Sequence, residues 1–115
     1  MAINTLQTLE VIEVMENFIF RIRPPEHIRG KIDIGYRIDN QSITIFELRP
    51  QWDRPEIIRE HPFARTTYVK NKKYWKIFWM RADLKWHGYS PQLTVSTLRE
   101  FTKVVEEDKF HCFFG

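Results

Sequence analysis

The chain contains a single cysteine, Cys112, and has no long uncharged apolar run. One cysteine excludes a disulfide within the chain, and cysteine-poor domains are typical of a reducing compartment, so we expect a cytoplasmic protein. The longest apolar runs hold only a handful of residues, whereas a membrane-spanning helix needs roughly 20. We therefore predict that the protein does not associate with a membrane.

The sequence also lacks the paired spacings by which proteins hold structural zinc. Such a site takes four ligands, usually in two closely spaced pairs, but His27, His61 and His87 are scattered along the chain. His111 and Cys112 are adjacent, so in an extended segment they point to opposite sides. We therefore predict neither a metal site nor a cofactor.

What the sequence does contain is typical of a folded domain. Hydrophobic residues make up 43% of the chain, aromatic residues 15% and charged residues 29%, a composition that excludes a disordered tail. A length of 115 residues suits one hydrophobic core, so we predict a single domain over residues 1–115. The net charge of +3 is compatible with an anionic partner, although many solvated surfaces carry as much charge without one.

Two helices are predicted, one near each end of the chain. Apolar side chains recur at helical spacing over residues 6–22, and Pro24–Pro25 removes the donors and the backbone conformation that a helix needs. A second apolar stripe follows Ser96 and Thr97, either of which can cap a helix by accepting a backbone hydrogen bond. We expect this second helix to end near Asp108.

The segment between the helices predicts strands. Residues 32–38 alternate apolar and polar side chains, and residues 42–49 follow after a short turn. Together these two segments indicate a hairpin. The most uniform apolar face results if Tyr36 lies opposite Phe46, and we predict that register.

Further strands follow beyond this hairpin. Residues 50–62 are predicted to form a long irregular loop. Residues 64–70 and 74–81 then form a second hairpin, and residues 85–89 form a short fifth strand. The predicted fold class is therefore α+β, with an N-terminal helix, an antiparallel meander of four to five strands, and a C-terminal helix packed on one sheet face.

The segment from Tyr74 to Tyr89 is rich in aromatic residues and holds three of the four tryptophans. In a strand, Trp75, Ile77 and Trp79 share one face, while Tyr74, Phe78 and Met80 share the other. A strand with two apolar faces is either covered on both sides or leaves one face for a partner outside the chain.

Four short sequence motifs follow one another along nearly the whole chain. They are Arg49-Pro50-Gln51-Trp52, Ala64 with Tyr68, the run from Trp75 to Tyr89, and the run from Glu107-Asp108 to Phe114-Gly115. Together these motifs resemble the small bacterial family called domain of unknown function 3024. The resemblance implies no activity, cofactor or ligand, because that family has no assigned function, and it carries no catalytic residue onto these positions.

Aromatic and basic residues, most of them in the second hairpin and the short strand after it, are the candidate binding residues. Exposed aromatic rings on a sheet can stack on bases while nearby cations contact phosphates, so these residues predict a surface for single-stranded nucleic acid. The competing interpretation is that about half of the tryptophans belong to the core of so small a domain. The candidates for ligand or partner binding are Trp52, Trp75, Lys76, Trp79, Arg81, Lys85, Trp86, His87 and Tyr89.

An enzymatic alternative rests on Asp33, Glu47 and Arg49, which the predicted hairpin register places on one face. Two carboxylates and a basic residue on adjacent strands are typical of metal-dependent nucleases. Such nucleases usually carry lysine where Arg49 stands, and arginine cannot shuttle a proton because its charge is fixed. An ordinary cross-strand ladder of charges explains the same residues, so the sequence favours a protein without catalytic residues.

Self-association is the leading interpretation of the second apolar face. A helix is roughly 10 Å across, so two short helices cover one face of a five-stranded sheet but hardly both. A symmetric dimer that stacks the two remaining faces would bury their aromatic side chains. We therefore predict a non-enzymatic interaction module that forms a homodimer through an aromatic sheet face, with single-stranded nucleic-acid binding as the alternative.

Overall fold

The computed structural model describes the backbone of residues 5–114 and the side chains of residues 7–114. In chain order the elements are α1 (Thr5–Ile22), a short 3₁₀ helix (Glu26–Ile28), β1 (Asp33–Asp39), β2 (Ser42–Gln51), β3 (Arg54–Val69), β4 (Tyr74–Met80), β5 (Trp86–Gly88), β6 (Thr94–Val95) and α2 (Leu98–Glu107). The strands form an antiparallel sheet in the order β1-β2-β3-β4-β5, with β6 also paired to β4. The predicted α+β meander is confirmed. No helix in the described part of the chain is long and apolar enough to cross a membrane.

α1 buries one stripe of apolar side chains against the rest of the domain. Val11, Met15 and Phe18 recur at helical spacing and are almost completely buried, as an amphipathic helix requires. The helix ends at Ile22, just before Pro24–Pro25, because proline cannot continue it. The predicted end of this helix is confirmed.

α2 is held at both ends by hydrogen bonds. The Thr97 hydroxyl accepts a 3.2 Å hydrogen bond from the backbone N–H of Glu100, which is the predicted capping interaction. At the other end Asp108 has a left-handed backbone with a φ of 42°. Its carboxylate accepts hydrogen bonds of 3.0 and 2.9 Å from the N–H groups of Phe113 and Phe114. These bonds hold the C-terminal tail against the domain.

The predicted loop over residues 50–62 is wrong, because most of it is strand. β2 and β3 form one long hairpin around a two-residue turn at Trp52–Asp53. Pro50 and Pro62 both sit next to a shift in the pairing register of that hairpin. Irregular positions of this kind tolerate proline, because there its missing N–H costs no regular ladder bond.

The predicted register of the β1–β2 hairpin is wrong by one residue. Tyr36 lies opposite Ile45, and Phe46 lies opposite Gly35. The cause is the turn, since Asn40 adopts a φ of 55° and supports a tight two-residue connection. The short turn shifts every pair of the hairpin by one position relative to the prediction.

The Phe46 ring lies so close to Gly35 that no larger residue fits there. A Cβ added to Gly35 would lie 2.9 Å from Cε1 of the Phe46 ring. We expect Gly35→Ala to lower the free energy of unfolding by about 1–3 kcal/mol, because the ring must leave a packed position. Gly30→Ala is the matched control, since a Cβ there meets nothing within 4 Å. Chemical denaturation measures both variants, and equal stabilities would contradict the close packing.

The helices and the C-terminal tail pack on one face of the sheet. Ile45 of β2 and Ile77 of β4 belong to the same buried cluster as Phe18 of α1, Phe101 of α2 and Phe113 of the tail. Among the described residues, no helix packs on the opposite face. We call this opposite face the open face.

Candidate functional site

The open face is made of side chains that alternate with core residues along the strands. In β4, Ile77 is buried in the core, so the adjacent Phe78 points to the open face. Arg65 of β3 lies directly opposite Phe78, and Trp86 of β5 lies opposite Met80, so these side chains share that face. The larger side chains of the open face are Arg37, Phe46, Arg65, Lys76, Phe78, Met80 and Trp86.

A notch of about 220 Å³ lies on the open face and is lined by Arg65, Thr67, Phe78 and Trp86. The guanidinium carbon of Arg65 lies 6.0 Å from the centre of the Trp86 ring, within range of a cation–π interaction. Phe78 and Trp86 are both half-buried, so the sheet holds the rings while part of their surface stays accessible. The notch therefore combines aromatic surface with a permanent positive charge.

Two of the three cations of the open face have no acidic partner among the described residues. Among residues 7–114, no carboxylate forms an ion pair with Arg65 or Lys76. Arg37, the third cation of this face, forms an ion pair with Glu60 and lies 5.1 Å from the centre of the Phe46 ring. Arg65 and Lys76 are therefore the cations of this face that an anionic ligand can reach without displacing a carboxylate.

Three predicted binding residues lie on the helix-covered side of the sheet instead. Trp75 is buried and packs against Tyr68, with ring centroids 4.9 Å apart. Tyr89 is buried against Phe113 at 5.0 Å. Trp79 lies on the same face as Trp75 and packs against the core cluster. These rings contribute to the core rather than to the open face.

The turn between β4 and β5 holds the remaining charged candidates. Nε2 of His87 lies 2.8 Å from Oδ2 of Asp83, whose Oδ1 accepts a 3.0 Å hydrogen bond from the N–H of Lys85. The hydrogen bond with His87 is the main reason that the pKa of Asp83 lies below its ordinary value. The Arg81 guanidinium lies 5.5 Å from the centre of the Trp79 ring. His87 and Arg81 thus contribute to the structure of the turn, whereas Lys85 is exposed.

Trp52 lies in a different hairpin from the other candidates. It occupies the turn between β2 and β3, and it is 92% exposed. Exposure of a whole tryptophan at a hairpin turn is costly in water, because burying such a ring is worth a few kcal/mol. The structure thus separates Trp52 from the notch on the open face.

Asp33 and Glu47 lie on neighbouring strands but do not share a sheet face. Glu47 lies opposite Ile34, the residue adjacent to Asp33, so the two carboxylates point to opposite sides. They share a face only in the predicted register, which is wrong. Asp33 binds Arg23 through hydrogen bonds of 2.8 and 2.6 Å, and Glu47 lies 3.3 Å from Arg49. Within the described residues, no group of three histidine, cysteine or acidic side chains could hold a metal ion.

The pairing of Asp33 with Arg23 makes stability depend on pH. The hydrogen bond from Arg23 lowers the pKa of Asp33 below its ordinary value, and the N–H of Ile34 adds to this effect. A carboxyl whose pKa is depressed by folding contributes stability above its unfolded pKa of about 3.9. That contribution is lost as the pH falls through the lower, folded pKa.

We expect Asp33→Asn to lower the free energy of unfolding at neutral pH by about 1 kcal/mol, because the ion pair with Arg23 and its two hydrogen bonds are lost. The variant should also lose less stability than the wild type when the pH falls below about 4. Urea denaturation at several pH values measures both effects, with the exposed Asp39→Asn as the control. Parallel pH profiles for the wild type and Asp33→Asn would rule out this role of the pair.

Three of the four residues that line the notch, Arg65, Thr67 and Phe78, are missing from the candidates predicted from the sequence. A usable signal surrounds Arg65, because its neighbours Ala64 and Thr66 are small and completely buried. Small residues alternating with a long charged one indicate a strand whose charged side faces away from closely packed helices.

The sequence profile of a family described as "Domain of unknown function (DUF3024)" matches residues 3–115. No curated protein and no solved structure matches the chain. The family description names no ligand, reaction or partner, so the function has to be inferred from the geometry.

Proposed function

Since the chain belongs to the DUF3024 family, whose description assigns no activity, we propose from the geometry of the open face that the domain binds single-stranded nucleic acid. The observation that carries the proposal is the notch, where Arg65 lies beside the rings of Phe78 and Trp86 and has no carboxylate partner among residues 7–114. Aromatic rings next to unpaired cations on a sheet are what single-stranded nucleic acid recognition requires.

The rings of the notch favour a single strand over a duplex. Bases in a duplex are stacked on each other and present only their edges, whereas an unpaired base can lie flat on Phe78 or Trp86. The Arg65 guanidinium beside Trp86 can add a cation–π contact to the same base. Each stacked base contributes roughly 1–3 kcal/mol to binding in known complexes of this type.

The cations supply the contact to the backbone of the ligand. Thr67 of β3 lies opposite Lys76, and Arg65 lies opposite Phe78, so the two cations lie diagonally across adjacent strands, two residue pairs apart. A phosphate beside a stacked base can therefore reach Lys76 or Arg65. Such contacts release counterions from the nucleic acid, so the affinity falls as the salt concentration rises.

The charge of the open face also favours nucleic-acid binding over a symmetric dimer in which two open faces stack. In a twofold dimer the same surface appears on both copies, so an axis near the notch would bring Arg65 and Lys76 together with the same cations of the partner. Placing like charges in one interface costs free energy. The same two cations attract an anionic ligand, so they lower the free energy of its binding.

The test is binding of a short fluorescein-labelled oligothymidylate, followed by fluorescence anisotropy at increasing salt. We expect salt-sensitive binding by the wild type, and a roughly tenfold loss of affinity in Lys76→Glu, because a phosphate contact is replaced by repulsion. Lys103→Glu is the matched control, since it makes the same charge change on α2, on the helix-covered side.

Two outcomes would reject the proposal. The first is an absence of binding by the wild type even at low salt. The second is an equal loss of affinity in Lys76→Glu and Lys103→Glu, which would mean that the oligonucleotide responds only to total charge.

A further inference from the structure

A row of side chains on the open face runs across three strands of the sheet. Thr44 of β2 lies opposite Arg37 of β1 on one side and opposite Arg65 of β3 on the other. Ile43 and Ile45 are completely buried in the core, so the side chain of Thr44 points to the open face. Residues directly opposite each other have Cβ atoms about 4.5–5.5 Å apart. Thr44 therefore stands between two arginines.

The hydroxyl of Thr44 is available to a ligand. Thr44 is only 8% exposed, yet its hydroxyl forms no hydrogen bond with any group among residues 7–114. In the next row of the same face, Ser42 and Thr67 bond to each other, with their hydroxyl oxygens 2.8 Å apart. No side-chain oxygen or nitrogen of the described residues is both unpartnered and sealed from the surface. The Thr44 hydroxyl therefore belongs to the small part of that residue that remains accessible.

Two arginines and a hydroxyl supply hydrogen-bond donors for an anion. Each guanidinium carries five N–H groups in a planar fork, and the hydroxyl adds one O–H. A fork binds a carboxylate or a phosphate through two parallel hydrogen bonds. Forks that approach from opposite sides need an acceptor with oxygens pointing in several directions. A phosphate group has such oxygens, whereas the two oxygens of a carboxylate lie in one plane, so the row fits a phosphate.

Two acidic side chains lie near the row. Glu60 accepts a hydrogen bond from Nη1 of Arg37, so a phosphate beside Thr44 competes with Glu60 for this guanidinium. Asp39 lies opposite Ser42 and is thus a diagonal neighbour of Thr44, about 7–8 Å away. The two arginines are closer to Thr44 than Asp39 is, and they favour an anion at this position.

We propose that Arg37, Thr44 and Arg65 form a site for a phosphate group, and that this group belongs to the strand whose base stacks in the notch. Arg65 belongs to both sites, and Phe78 is two strands from Thr44, about 10 Å away. The phosphate can thus belong to the stacked nucleotide or to its neighbour. Only this choice of ligand rests on the proposed function, because the three side chains bind a phosphate through their own donors.

Inorganic phosphate tests the site without a base. We expect saturable shifts of the Thr44 amide signal and of the Nε–H signals of Arg37 and Arg65 in nuclear magnetic resonance spectra. Thr44→Val should lower the phosphate affinity by roughly tenfold, because it replaces the hydroxyl by a methyl group of similar shape. Thr44→Ser should keep most of the affinity. Urea denaturation should show Thr44→Val to be as stable as the wild type, since its hydroxyl has no partner among the described residues.

Arginine variants separate the site from the total charge of the protein. Arg37→Ala should lower the phosphate affinity by roughly tenfold. Arg49→Ala is the matched control, because Arg49 also pairs with a glutamate, and the two arginine side chains are 48% and 52% exposed. Arg49 alternates with the open-face residues of β2, so it points to the other face. Glu60→Gln should raise the phosphate affinity several-fold, because it removes the carboxylate that competes for Arg37.

The phosphate site and the proposed function fail in different ways. Absence of saturable phosphate binding, or equal binding by the wild type, Thr44→Val and Arg37→Ala, would overturn the inference. It would also be overturned if these two variants lost phosphate but bound oligothymidylate as tightly as the wild type, because the site would then lie off the path of the strand. A wild type that binds phosphate at these residues but no oligothymidylate would uphold the site and reject only nucleic-acid binding.

Discussion

Phe101→Ala is expected to lower the free energy of unfolding by about 3–5 kcal/mol. Phe101 of α2 is completely buried and belongs to the cluster that joins Met15 and Phe18 of α1 to Ile77 of the sheet. Removing its ring leaves a cavity where the two helices and the sheet meet, and the surrounding side chains can fill such a space only in part. Urea or guanidinium denaturation followed by circular dichroism measures the loss.

Phe110→Ala is the matched control, because it deletes the same ring from a position that is 62% exposed. We expect it to change the free energy of unfolding by no more than about 0.5 kcal/mol. Similar losses in the two variants would mean that Phe101 does not lie in the common core of the helices and the sheet.

Sequence patterns predicted the helices well, because their boundaries are set by local chemistry. Proline at positions 24 and 25 ends α1 whatever the rest of the chain does, and a hydroxyl at Thr97 caps α2 through its own backbone neighbours. Apolar spacing in a helix is also distinctive, since Met15 and Phe18 share a stripe with polar residues on the other side.

The register of the first hairpin could not be predicted in the same way. Five successive residues of β2, from Ser42 to Phe46, are all buried, so neither face of this stretch is exposed to fix the register. Two registers then bury similar apolar surface, and the turn at Asn40 decides between them. Its φ of 55° is a backbone property that the apolar pattern does not contain.

Residues 50–62 were predicted as a loop for a related reason. Prolines at 50 and 55 suggest irregular structure, and residues 53–56 have exposed side chains with no alternation of apolar and polar positions. A strand that is buried on neither face lacks the period-two signal that identifies strands. These residues form a strand because they continue the pairing of the long β2–β3 hairpin.

The candidate site was predicted in part. The sequence correctly placed Trp75, Ile77 and Trp79 on one face of a strand, but both faces of β4 are apolar, so the pattern does not say which one the helices cover. That choice depends on β2 and β3, whose buried Ala64 and Thr66 leave room for close packing on one side only. The small neighbours Ala64 and Thr66 indicate that Arg65 faces away from the helices, but which residues of β4 share its face is decided by the pairing of β3 with β4.

Trp86→Ala is expected to lower the affinity for oligothymidylate by roughly tenfold or more, because loss of one stacked base costs about 1–3 kcal/mol. The ring lines the notch beside Arg65 and Phe78, so its removal takes away stacking surface without changing any charge. Fluorescence anisotropy measures the affinity, and thermal unfolding checks that the variant remains folded at the temperature of the titration.

The salt dependence of Trp86→Ala separates stacking from charge. The slope of affinity against salt should equal that of the wild type, whereas Lys76→Glu should reduce the slope by about one contact or more. Trp86→Phe should recover most of the lost affinity, because phenylalanine also offers an aromatic face. If Trp86→Phe binds as weakly as Trp86→Ala, or if Trp86→Ala binds as well as the wild type, base stacking at the notch is excluded and the remaining attraction is that of the two cations alone.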